Sequence, residues 1–209
     1  MKKFEFSRIL NFNIEESLTK MDIYIGKELK EKTGQILFFT LILFIPSFTM
    51  RVIGIILLCS AMLVNDIKNK NVELLYFLPF SKRELFLYNL MFLVLIISIT
   101  SAADKIYYNL TILEGLLAIF KTIVALLAIY GISMLFTTLG HDGFIWSIVI
   151  TIADALLGDL GSTNLNAADF NPYSLISFTK QGSMILAFLY AALICFLAYF
   201  AYIKKGGEN

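Results

Sequence analysis

Apolar positions in this chain gather into long blocks. Residues 85–103 and 183–203 are dominantly apolar, and 112–139 is longer still. About 20 such residues cross the about 30 Å hydrocarbon core of a bilayer, so each block predicts a transmembrane helix. Residues 144–157 form a shorter, nearly unbroken fourth block. The block 36–64 is harder, because Arg51 falls near its middle and Pro46 just before it. A charge at the bilayer centre costs at least about 2.5–3.5 kcal/mol on insertion scales. Placing Arg51 at the tip of a tight hairpin removes that cost and predicts two short arms of about 20 Å each.

Upstream the pattern changes. Ile14, Leu18, Met21, Ile25 and Leu29 form one stripe at helical spacing, with Glu16, Lys20, Lys27, Glu28 and Lys30 on other faces. Asn13 is a candidate N-cap. The segment predicts an amphipathic helix at the membrane surface, or one packed on a soluble partner.

Charge fixes the orientation expected of these blocks. Seven basic residues precede Gln35, and four more (Lys68, Lys70, Lys82, Arg83) lie between the second and third spans. Both groups belong in the cytoplasm by the positive-inside rule, so 36–64 must cross twice. With Lys204 and Lys205, 13 of the 17 basic residues sort to the cytoplasmic side; Arg51, Lys105, Lys121 and Lys180 remain on the outer side. The expected fold is therefore all-α and polytopic. A cytoplasmic N-terminal region (1–34) carries the amphipathic helix, and a six-helix transmembrane domain spans 35–204, in the cell membrane with both termini cytoplasmic.

Composition agrees. Of 209 residues, 58% are hydrophobic and 16% charged, too few charges to coat a soluble domain. The net charge of +1 gives no reason to expect a nucleic acid partner. One histidine and two separated cysteines offer no metal site, and no cofactor is expected.

The loop 66–84 is unusual. Ser81-Lys82-Arg83-Glu84 is a capping box opening the third span, and Pro79 stops any helix before it. Between Asp66 and Pro79 lies Val72-Glu73-Leu74-Leu75-Tyr76-Phe77-Leu78, a short apolar helix in a loop exposed to water. It can bury its face in the membrane interface or in a groove on another protein.

The pattern of Glu73, Leu74, Leu75, Leu78 and Pro79, then Ser81, Arg83 and Glu84 before a span, resembles the type-2 ATP-binding-cassette (ABC) permeases. That resemblance implies a coupling helix near 72–79, with Phe77 on it, contacting an ATPase subunit. It also implies a second permease subunit, identical or related, and an outer re-entrant loop near 159–182 with Asn171, Pro172 and Tyr173 at an outer gate. The short first hairpin is similar to that of haem-exporter permeases of cytochrome maturation. The chain has no G-x-x-x-x-G-K-[ST] sequence, so nucleotide hydrolysis would fall to a separate subunit. The expected function is the permease subunit of an ABC exporter, with a non-transporting scaffold or immunity protein as the alternative.

Two charges fall inside predicted spans. Counting residues from the turn at 140–143, Lys121 and Asp159 stand at similar heights and are expected to pair. Asp154 is left near mid-membrane with no sequence-evident partner, lining the translocation path or hydrogen-bonded between helices. An intramembrane enzyme is disfavoured, since one histidine, no G-x-S-x-G and a lone mid-membrane aspartate supply no catalytic set. Asn109-Leu110-Thr111 is a glycosylation sequon. Ser183, Ala187 and Ala191 recur at a spacing that lets helices approach closely.

Overall fold

A computed structural model of the chain describes residues 14–68 and 80–205. Asn13 and the residues expected to form a coupling helix, Glu73, Leu74, Leu75, Phe77, Leu78 and Pro79, lie outside the described residues. Helices α1 (Ile14–Leu43), α2 (Phe48–Ala61), α3 (Leu63–Lys68), α4 (Lys82–Tyr107), α5 (Ile112–Thr138), α6 (Gly143–Asp159), α7 (Tyr173–Ile176) and α8 (Met184–Lys205) account for most of the described residues. Among the described residues the only β-pairing is an isolated bridge between Ser162 and Phe170. Among the described residues three stretches, Lys82–Asp104, Ile112–Thr138 and Met184–Lys205, are long and apolar enough to cross a membrane. The chain is an all-helical membrane protein.

Local sequence sets the helix ends. Ser81 and Glu84 form the expected capping box: the Glu84 amide donates to Ser81 Oγ (3.2 Å) and the Ser81 amide to Glu84 Oε2 (2.7 Å). Thr111 and Glu114 form a second box at the start of α5. The sequon's threonine thus caps a helix, and Asn109 adopts the left-handed region (φ 48°) in the turn before it. Gly140, at φ 90°, makes the turn between α5 and α6, where a side chain would be strained. Asp142 then caps α6 by accepting from the Phe144 and Ile145 amides.

Contacts define two ends of the bundle. At the basal end Lys20 of α1 meets Glu84 of α4, Lys32 meets Asp66 of α3, and Lys68 meets Asp142 at the start of α6. At the apical end Arg51 of α2 meets Asp104 of α4, Tyr108 donates to the Pro46 carbonyl, and Lys180 meets Asp159 at the end of α6. Six runs alternate in direction between these ends: the later part of α1, then α2 with α3, α4, α5, α6 and α8.

The expected hairpin within 36–64 is present as an antiparallel pair, but Arg51 is not its tip. The reversal lies at residues 44–47, and Arg51 sits in the first turn of α2 with 4% of its surface exposed. Its charge is met by Asp104, and its Nε donates to the Leu43 carbonyl (3.2 Å). A partner on α4, rather than exposure, offsets the cost of burial.

α1 consists of two helical runs joined across a kink at Lys32 (φ −123°, ψ 20°), close to the expected boundary at residue 34. Its expected stripe divides: Met21 and Ile25 pack on the core, while Leu18 and Leu29 stay exposed. The fully buried positions are Tyr24 and Glu28.

α5 is the central helix, packed against α2, α3, α4, α6 and α8. Its most extensive packing is against α8, where a Cβ added at Gly131 would lie 2.8 Å from the Cys195 nitrogen. Ala187, Ala191 and Ala198 of α8 are completely buried, so the small residues noted in the sequence serve packing inside the bundle.

Candidate functional site

The apical end holds the densest set of functional candidates. α6 carries Asp154 near its last turns, 1% exposed. Four donors converge on its carboxylate: Tyr173 Oη (2.6 Å), Ser177 Oγ (2.7 Å), Thr179 Oγ1 (2.7 Å) and the Thr179 amide (3.0 Å). An ionised carboxylate has about four acceptor positions, so this set satisfies it with no cation. Asp154 therefore has partners after all, and they all come from the segment returning between α6 and α8. Asn and Ser residues shape that segment. Asn171 Oδ1 accepts from the Tyr173 amide (3.0 Å), and its Nδ2 donates to the Leu157 carbonyl on α6 (2.7 Å). Pro172 starts the four-residue α7, and the Gly182 amide closes the loop on the Ser174 carbonyl (3.0 Å). Asn171, Pro172, Tyr173 and Asp154, assigned to two separate roles from sequence, form one hydrogen-bonded unit.

Beside this unit lies a cleft of about 340 Å³ lined by Arg51, Asp104, Lys121, Thr179, Lys180 and Gln181, among others. Three of the four basic residues assigned by sequence to the side opposite the termini thus share one cleft. The expected Lys121–Asp159 pair is not formed. Asp159 pairs with Lys180 (2.5 Å), which the loop delivers to the end of α6. The Lys121 side chain is exposed and has no ion pair among the described residues, while its carbonyl accepts from Gln181 Nε2 (2.9 Å). The loop lysine, invisible to a count along helices, takes the acid.

A second, larger hollow of about 680 Å³ runs down from the cleft between α2 and α6. Its walls include Val52, Ile53, Ile56, Phe144, Ile148 and Ile152.

The basal end carries Ser81, Arg83 and Glu84, the described residues of the expected coupling motif. Ser81 and Arg83 are exposed, and Glu84 also pairs with Lys20 (3.2 Å). Hydrogen bonds to Glu16 first, then Glu84, raise the Lys20 ammonium above its ordinary value. Lys68 foremost, then the α6 amides, hold Asp142 below the ordinary carboxylate value despite its partial burial. Deeper in, the Lys32 ammonium bridges Glu28 (2.9 Å) and Asp66 (2.9 and 3.0 Å), both nearly inaccessible. This cluster locks the kink of α1 to α3, directly before segment 69–79. Removing the cation would leave the buried Asp66 without its ion-pair partner, at a cost of about 3–5 kcal/mol, while Glu28 would keep Lys27 (3.3 Å).

Sequence reasoning missed the Arg51–Asp104 pair, the Lys32 cluster and the Asp154 donors. Apart from the i,i+4 pair of Glu28 and Lys32, each joins residues 19 or more positions apart and carries no local signal. No protein-family model, no curated protein and no solved structure matches this chain.

Proposed function

We propose that this protein is the membrane-spanning permease subunit of an ABC exporter driven by a separate ATPase subunit. In this reading the six alternating runs are six membrane crossings, with the basal end and both termini cytoplasmic. Two permease subunits, each with its ATPase, make the complete transporter, because one six-helix bundle supplies half of a path. The short arms, about 16 Å for residues 33–43 and about 21 Å for the 14 residues of α2, reach across with help from α3 and local thinning of the bilayer.

The observation that carries the reading is the setting of segment 69–79. Its two flanks, Lys68 and Phe80, lie at the basal end, where α1, α3 and the capped start of α4 converge. Tyr24 of α1 packs edge-on against Phe80. A coupling helix held there by Glu73, Leu74, Leu75, Phe77 and Leu78 has mechanical access to three helices at once. The loop built on Asp154 sits at the far end, where an external gate belongs. Closure of the ATPase dimer on ATP would push residues 72–78, and the shift between inward- and outward-open states would follow as a two-state switch.

Association is the first test. The tagged chain, purified in mild detergent from its own membrane, is expected to bring down a polypeptide with a G-x-x-x-x-G-K-[ST] sequence. The double substitution Glu73→Ala with Leu75→Asp is expected to release it while the chain itself remains folded. Retention of that partner by the double variant would rule out the coupling assignment. Recovery of the chain with no ATPase at all would favour the scaffold or immunity reading.

A further inference from the structure

The cleft and the groove are one continuous feature. Phe48, Thr179 and Lys180 line both. The upper chamber is polar: its lining carries the cations Arg51, Lys121 and Lys180 against one carboxylate, Asp104. The lower chamber is apolar and follows α2 from Phe48 to Leu57, nine residue steps or about 14 Å. Ile53 and Ile152, on opposite walls of the groove, are 45% and 55% exposed, so the groove opens sideways towards the bilayer rather than into the bundle.

Each chamber has its own requirement. The Arg51 guanidinium is consumed by Asp104, and Lys180 is shared with Asp159, which stands on the groove side. The Lys121 ammonium has no carboxylate among the described residues, so the cleft retains an excess positive charge. A basic side chain at the edge of a membrane attracts an anionic headgroup. An open apolar trough beneath it accepts a hydrocarbon chain, and a hollow of several hundred Å³ is the size of a small-molecule site.

We infer that the apical cleft and the α2–α6 groove together bind one anionic bilayer lipid, its phosphate between Lys121 and Lys180 and an acyl chain along Ile53, Ile56 and Ile152. Lys180 is central to this site because it bridges the chambers. It also ties the lipid to the loop anchored on Asp154, since Thr179, two of whose donor groups bind that carboxylate, lines both chambers. The inference needs the chain in a membrane and does not need the transport reading; it stands if no ATPase is ever found.

The test is native mass spectrometry of the purified full-length chain in detergent, titrated with phosphatidylglycerol and with phosphatidylcholine of the same acyl composition. Phosphatidylglycerol is expected to bind with preference, as a single retained lipid. Lys121→Gln is expected to weaken it roughly fivefold, and Lys121→Gln with Lys180→Gln by roughly that factor again, from the attraction of each basic residue to an anionic lipid. Phosphatidylcholine binding is expected to change little in these variants. Ile53→Trp, which fills the groove from an exposed position, is expected to reduce retention of both lipids. Leu193→Trp, on the exposed face of α8, is expected to reduce neither. Each variant is checked for wild-type helical content by circular dichroism. Equal binding of the two lipids, or unchanged phosphatidylglycerol binding in the double lysine variant, would overturn the proposal. So would an Ile53→Trp chain that retains lipid like the wild type.

Discussion

Asp154 shows how one residue changes meaning when its neighbours arrive. A carboxylate counted to mid-membrane implies a functional charge, because nothing in its own helix offsets the cost of burial. In the folded chain Tyr173, Ser177 and Thr179 reach back from 19 to 25 residues away and satisfy it. Its role is to fasten the returning segment to α6. Asp154→Ala would leave these donors without their acceptor, at a cost of about 1–3 kcal/mol for each that stays buried and unsatisfied. The segment should loosen, and trypsin should cut faster after Lys180, which is exposed on it. Asp154→Asn, which keeps one acceptor oxygen, should fall between the two. An unchanged cleavage rate in Asp154→Ala would show that the segment is held by other contacts.

Among the elements, capping and hydropathy were readable ahead of the structure, and long-range pairing was not. The Ser81 box, the apolar blocks that became α4, α5 and α8, and the small-residue face of α8 are local patterns with local causes. The reversal in 36–64 was legible as a turn between two helices but misplaced by several residues. Hydropathy cannot distinguish a charge exposed at a tip from one buried beside a partner such as Asp104. The split stripe of α1 has a similar origin, since the bundle selected Tyr24 and Glu28 by their fit to α3 and α4. Lipid tails are as apolar as leucine, so close contact between α5 and α8 rests on backbone approach at Gly131 rather than on hydrophobic burial. Gly131→Ala places a methyl against the Cys195 backbone and should cost about 1–3 kcal/mol through overpacking. The expected sign is a lower unfolding midpoint in detergent with α-helical content retained. A midpoint equal to wild type would mean that the two helices separate without penalty.

At the scale of the molecule, the chain places its charges at two ends and leaves an apolar belt between them. The basal cluster of Lys20, Glu84, Lys32, Asp66, Lys68 and Asp142 ties α1, α3, α4 and α6 together. The apical cluster ties α2, α4, α6 and the Asp154 loop together. A push at the first has rigid helices through which to reach the second, and the permease reading depends on that linkage. ATP turnover by the co-purified complex in liposomes tests it most directly, with the ATPase subunit alone as reference. The account predicts that this chain raises the turnover and that Glu73→Ala with Leu75→Asp returns it to the level of the ATPase alone. Turnover indifferent to the presence of the chain would contradict it.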